Sequence, residues 1–93
     1  MRPGFERVER LTNIGPTIAK RLRQIGIRTR SDLEQAGPVA TYLHLCASYP
    51  EKRLPVCYYL YSLEGALRDK HWDAIPKSVK QKLLEQVGNR RSR

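Results

Sequence analysis

Apolar residues recur along this chain at the three- and four-residue intervals of helices, and glycine and proline punctuate the recurrences. Ile14, Ile18, Leu22 and Ile25 form one stripe, with Lys20, Arg21 and Gln24 elsewhere on the same helix. Pro16 presets the first helical φ, and Gly15 before it is expected to take the positive φ that turns the chain between two helices. Gly26 is expected to close the second of these in the left-handed region before Ile27 returns to the core. Ala19 would be small because the two helices approach each other there. Upstream, Phe5, Val8 and Leu11 predict a short helix leading into the hairpin.

Downstream, Ser31-Asp32-Leu33-Glu34 has the form of a capping box with Ser31 as acceptor, opening a brief helix to Ala36 that Gly37-Pro38 stops. Pro38 then starts a segment carrying Val39, Tyr42, Leu43, Cys46 and Ala47 at helical spacing, ended by Tyr49-Pro50. Pro55 opens the longest element, to Arg68, with Val56, Tyr59 or Leu60, Leu63 and Leu67 inward and Tyr58 and Tyr61 on a neighbouring face. Gly65 inside this helix costs up to about 1 kcal/mol against alanine, which points to close approach of another backbone. Glu64 beside it will need an arginine or a backbone amide if its face is buried. Finally Ile75-Pro76 opens a helix in which Ile75, Val79, Leu83 and Val87 repeat every four residues, with Trp72 locking it to the rest. No convincing strand is present. The expected fold is all-α, a compact bundle of about five short helices.

Ninety-three residues make one domain, 1–93, with a core over about 5–87 and a basic, flexible tail at 88–93. A chain of this size buries on the order of 60% of its unfolded surface. The longest apolar run, Val56 to Tyr61, is too short to span a bilayer, and no apolar signal core follows Met1-Arg2-Pro3-Gly4. A cytoplasmic protein is expected, with Cys46 and Cys57 as reduced thiols.

Charge changes the picture more. Eighteen Lys and Arg against nine Asp and Glu give +9 and favour anionic partners. Arg90, Arg91 and Arg93 supply three of the nine net charges from the tail. The other excess is early: Arg2, Arg7, Arg10, Lys20, Arg21, Arg23, Arg28 and Arg30 face only Glu6 and Glu9 before Asp32.

The apolar-Gly, three residues, Ala, two residues, Leu, Gly-Ile pattern from Ile14 to Ile27 resembles the helix-hairpin-helix and SAM-like class of small α domains. Leu11 to Pro16, Ile25-Gly26-Ile27 with Asp32-Leu33, Tyr59 to Arg68, His71-Trp72, Ile75-Pro76 and Lys80 to Leu84 together resemble the C-terminal domain of the TfoX/Sxy family, over roughly Val8 to Val87. The Leu63-Glu64-Gly65-Ala66-Leu67 run followed by Trp72 and Ile75-Pro76 is its most diagnostic piece. The resemblance implies kinship with regulators of natural competence that act at promoters with the cyclic-AMP receptor protein. In that family this domain commonly follows a separate N-terminal one, for which these 93 residues leave no room.

Two functional readings follow. In one, the amides and dipole of the second hairpin helix, with Asn13, Gly15, Thr17, Lys20, Arg21, Arg23, Arg28 and Arg30, hold nucleic-acid phosphates without strong sequence preference. The usual binding form reads Gly-apolar-Gly, whereas Asn13 stands first here and Pro16 lacks an amide. The hairpin can equally be a way of packing helices. In the other reading the domain is a helical adaptor for a transcription or recombination protein, or self-associates, through Tyr58 and Tyr61. No enzyme is expected, and no cofactor or metal: His44 and Cys46 fall on different helix faces, and His71 has no spacing partner.

Overall fold

The structure, a computed structural model, describes residues 5–91, apart from the side chains of Cys57, Arg90 and Arg91. The expectations for Cys57, for Arg2 and Arg93 and for the side chains of Arg90 and Arg91 lie outside these described residues. Among the described residues the fold is all-α. Five α-helices, α1 (Pro16–Gln24), α2 (Arg30–Ala36), α3 (Pro38–Ser48), α4 (Val56–Arg68) and α5 (Lys77–Arg91), are joined by short connections. Two single 3-10 turns, Val8–Arg10 and Trp72–Ala74, precede α1 and α5.

The periodic stripes become the core. Ile18 and Leu22 of α1, Leu33 of α2, Tyr42 and Leu45 of α3, Leu60, Leu63 and Ala66 of α4, and Leu83 and Val87 of α5 are buried together. Each large aliphatic side chain among them contributes roughly 1.5–3 kcal/mol. α4 lies at the centre, packed against α2, α3 and the Trp72–Ala74 turn, while α5 packs on α3. Tyr42 is buried with its hydroxyl donating to the Leu54 carbonyl at 2.7 Å, so its polar tip is satisfied. Glu64 is paired as its burial requires, with Arg68 Nε at 2.5 Å. Cys46 packs at the edge of the core.

Three local expectations are corrected. Gly15 is extended (φ −86°, ψ −179°), and the positive φ falls on Asn13 at 72°. Asparagine tolerates that region because its short side chain can hydrogen-bond while the backbone turns. Gly26 does take the left-handed turn, at φ 90°. Upstream of the hairpin, the expected helix shrinks to the Val8–Arg10 turn and Phe5 stays in solvent, 79% exposed. The reason is a backbone pairing between residues distant in sequence: Arg7 and Thr29 form an antiparallel bridge, with Val8 N donating to Arg28 O at 3.1 Å and Arg30 N to Glu6 O at 2.8 Å.

The capping box sits two residues before Ser31. Thr29 Oγ1 accepts from Asp32 N at 3.3 Å, and Asp32 Oδ2 accepts from the backbone N–H of Thr29 at 3.2 Å and of Arg28 at 3.0 Å. Those backbone donors, Arg28 first, hold the Asp32 carboxyl below its ordinary range. At the other end of the described residues, α5 continues through Gly88 to Arg91, so the helix takes in part of the 88–93 segment expected as a basic, flexible tail.

Gly65 is where the fold is tightest. A Cβ there would fall 2.5 Å from the Lys70 carbonyl oxygen and against Asn13 Nδ2, with Trp72 Cα at 3.5 Å. The close approach expected from a mid-helix glycine is the chain folding back after α4. Asn13 fastens that return: its Nδ2 donates to Lys70 O at 2.9 Å and to Ser62 O at 3.4 Å, and its Oδ1 accepts from Trp72 N at 3.2 Å.

Candidate nucleic-acid interface

The cations of the N-terminal third divide into two sets with different work to do. Arg30 belongs to the inner set. It is 8% exposed, and its guanidinium reaches across to the end of α4, donating from NH1 to Ala66 O at 3.2 Å and from NH2 to Leu67 O at 2.5 Å. The last carbonyls of a helix lack intrahelical partners and carry the negative end of its dipole, so a cation there satisfies both. Glu34 accepts from Arg30 Nε at 2.9 Å and Asp69 stands 3.6 Å from NH1, which balances the charge. With Asn13 bonded around Gly65, two of the eight residues expected to meet phosphate are committed to holding the C-terminal turn of α4.

Arg21 stands between the sets. It is half-buried, donates from NH1 to the Tyr59 hydroxyl at 2.6 Å and lies over the Tyr49 ring at 4.9 Å from its centroid. Tyr49 in turn donates to Gln24 Oε1. This ties α1 to the end of α3 and to α4, and leaves Arg21 on the wall of a shallow cleft lined by Pro16, Thr17, Lys20, Gln24 and Tyr49.

The outer set is exposed. Thr17, Lys20 and Arg23 follow one another at three-residue steps along the solvent side of α1. Arg23 also lines a second cleft, of about 510 Å³, with Phe5, Arg7, Glu9, Arg28 and Thr29. The Arg7–Thr29 bridge brings Phe5 and Arg7 beside Arg28, so the loop after α1 and the N-terminal segment share one wall. Arg23 is 3.6 Å from Glu9, both in solvent. Of the residues lining these two clefts, Glu9 is the one carboxylate against Arg7, Lys20, Arg21, Arg23 and Arg28. Gly15 caps α1 without a side-chain hydrogen bond.

In the sequence, charge points to Lys20 and Arg23 at the hairpin, whereas Arg7 counts only in the early charge excess and Phe5 reads as part of a helix, because a two-residue bridge leaves no repeating signature. Tyr58 and Tyr61 are treated differently by the fold: Tyr58 is 51% exposed and edge-on to Tyr59, whereas Tyr61 packs against the core with Lys80 Nζ 5.3 Å from its ring centroid. His44 is exposed, and His71 Nδ1 accepts from Asp73 N at 3.2 Å. Among the described residues no group of three or more His, Cys, Asp or Glu could hold a metal ion, and no helix is long and apolar enough to cross a membrane.

Comparison with solved structures finds the triclinic crystal form of an uncharacterized protein from Listeria monocytogenes. The likeness has a TM-score of 0.77 at 24% identity and covers 89% of this chain and 91% of that one. At that identity the likeness shows the fold alone. Among curated proteins none matches. The family profile of the TfoX C-terminal domain matches residues 5–87. That span runs from the segment bridged to Thr29 to buried Val87 of α5, and the chain therefore belongs to the TfoX C-terminal domain family.

Proposed function

We propose that this domain is a non-enzymatic nucleic-acid-binding module that holds phosphates on the exposed side of α1 and the adjoining cleft, through Thr17, Lys20, Arg23, Arg28 and Arg7. The observation that carries this reading is the unbalanced charge of that surface: among the described residues lining the two clefts, four exposed cations meet Glu9 as the one carboxylate, with Asp32 behind the wall acting on Arg28. The Arg23–Glu9 contact does little to oppose it, because an exposed ion pair is worth about 0–1 kcal/mol and exchanges readily for a phosphate. Contacts of this kind position the protein on a backbone and carry no base code, so affinity is weak and sequence-independent. Family kinship supports reading such binding as part of transcription or DNA-transformation control in the cytoplasm.

Titration of a short labelled duplex by fluorescence anisotropy tests this. Binding is expected at low salt, with a log–log salt slope on the order of −3 for three or four neutralised phosphates. Charge reversal in Lys20→Glu/Arg23→Glu should weaken binding by at least about tenfold and flatten the slope by about 1–2. No duplex binding in low salt, or binding indifferent to the double variant, would overturn the reading.

A further inference from the structure

Phe5 is the most exposed large apolar side chain among the described residues, and the residues that line its cleft with it are polar or charged. It lies in a cleft whose other walls are Arg7, Arg23, Arg28, Thr29 and Glu9. The backbone beneath it is held: the Arg7–Thr29 bridge and its flanking hydrogen bonds, Val8 N to Arg28 O and Arg30 N to Glu6 O, set the ring and the arginines on one frame. A ring presented to solvent among guanidinium groups is poorly suited to an apolar partner, which would have to desolvate the charges around it. It suits a ligand that alternates flat faces with anions. The cleft volume of about 510 Å³ lies within the roughly 300–1,000 Å³ of small-ligand sites.

We propose that this cleft takes an unpaired base of a single-stranded nucleic acid, stacked on Phe5, with the flanking phosphates on Arg7, Arg23 and Arg28. The proposal deepens the phosphate-binding reading above and rests on it. Paired bases are stacked inside a duplex and cannot reach the ring, whereas every unpaired base offers a face to it, so the preference created is for strand state and not for sequence. Thr29, partly buried at the cleft wall, spends its hydroxyl on the α2 cap, and no base-specific donor is required of it. Stacking and phosphate contact are common to DNA and RNA, and the ring itself does not distinguish them.

Anisotropy titrations of labelled oligothymidylate, oligouridylate and a duplex against wild type, Phe5→Ala and Phe5→Trp test the idea. Phe5→Ala should weaken binding of the single strands by about tenfold or more, the range of one lost base–aromatic stack. Duplex affinity should stay within about twofold, because the phosphate contacts remain. Phe5→Trp should restore single-strand affinity, and its added indole emission should be quenched by oligothymidylate. Where wild type binds only one of the two oligonucleotides, loss on that one identifies the natural strand and supports the proposal. Duplex and single strands bound with equal indifference to Phe5→Ala would overturn it while leaving phosphate-led binding in place, and sedimentation would then show whether the ring serves self-association. Failure of all three ligands to bind would remove both readings. With its ring largely in solvent, Phe5 can be replaced without loss of the fold.

Discussion

Gly65→Ala is expected to lower the melting temperature by roughly 15 °C, the equivalent of about 3 kcal/mol in a domain of this size. The added methyl would lie 2.5 Å from the Lys70 carbonyl oxygen, a backbone atom with no rotamer to escape into, and would also strike Asn13 Nδ2. Opening that space means moving the chain after α4, which breaks the Lys70 N to Gly65 O bond at 2.9 Å and the Asn13 bond to Lys70 O at 2.9 Å. Alanine returns up to about 1 kcal/mol of helix propensity. That gain is smaller than the loss when extra volume meets backbone and breaks two hydrogen bonds. In an Asn13→Gly background, which keeps the positive φ at 13 but removes one of the two clashes, Gly65→Ala should cost less than in wild type. Thermal melts followed by circular dichroism read both effects. An unchanged melting temperature for Gly65→Ala would contradict the close approach at this point.

Arg30→Ala is expected to cost a similar amount, about 3 kcal/mol, because it leaves two C-terminal carbonyls of α4 without their donor and takes away the buried guanidinium that also reaches Glu34 and Asp69. Arg30→Lys should recover only part of this. One ammonium cannot serve Glu34, Ala66 O and Leu67 O together, whereas the planar guanidinium spans all three. Urea denaturation gives the stability change. The same Arg30→Lys protein, still folded, should bind duplex DNA with wild-type affinity, since the side chain is 10% exposed and turned toward α4. A stable Arg30→Ala protein that had lost DNA binding would assign Arg30 to the outer surface.

The helices were legible because their signals are local. The stripe Ile14, Ile18, Leu22, the proline at the start of α3, the glycine after α1 and the four-residue repeat of α5 each lie within one or two turns of the element they define. Family kinship was legible for the same reason: Leu63 to Leu67 and Ile75-Pro76 are short runs. What escaped was every interaction whose partners lie far apart in sequence. Asn13 bonds to residues 49, 57 and 59 positions away, and Arg30 to residues 36 and 37 away. A list of cations near a hairpin therefore mixed structural and exposed residues. Two local signals could have separated them. Asparagine before Ile-Gly is a residue that accepts positive φ, and a cation at the first position of α2 opposes that helix's own dipole, which marks it for work elsewhere. Phe5 was misplaced because its period-three spacing with Val8 and Leu11 looks helical, while the Arg7–Thr29 bridge that overrides it has no local pattern.

The division between an inner pair that holds α4 and an outer set proposed to meet phosphate is tested most directly by proton–nitrogen correlation NMR during titration with duplex DNA in low salt. The backbone amides of Thr17, Lys20, Arg23 and Arg28 should move together toward saturation, while the Asn13 side-chain amide pair and the Arg30 Nε–H keep their positions. Shifts centred on Asn13 and Arg30, on the Tyr58 side of α4, or nowhere at all would contradict it.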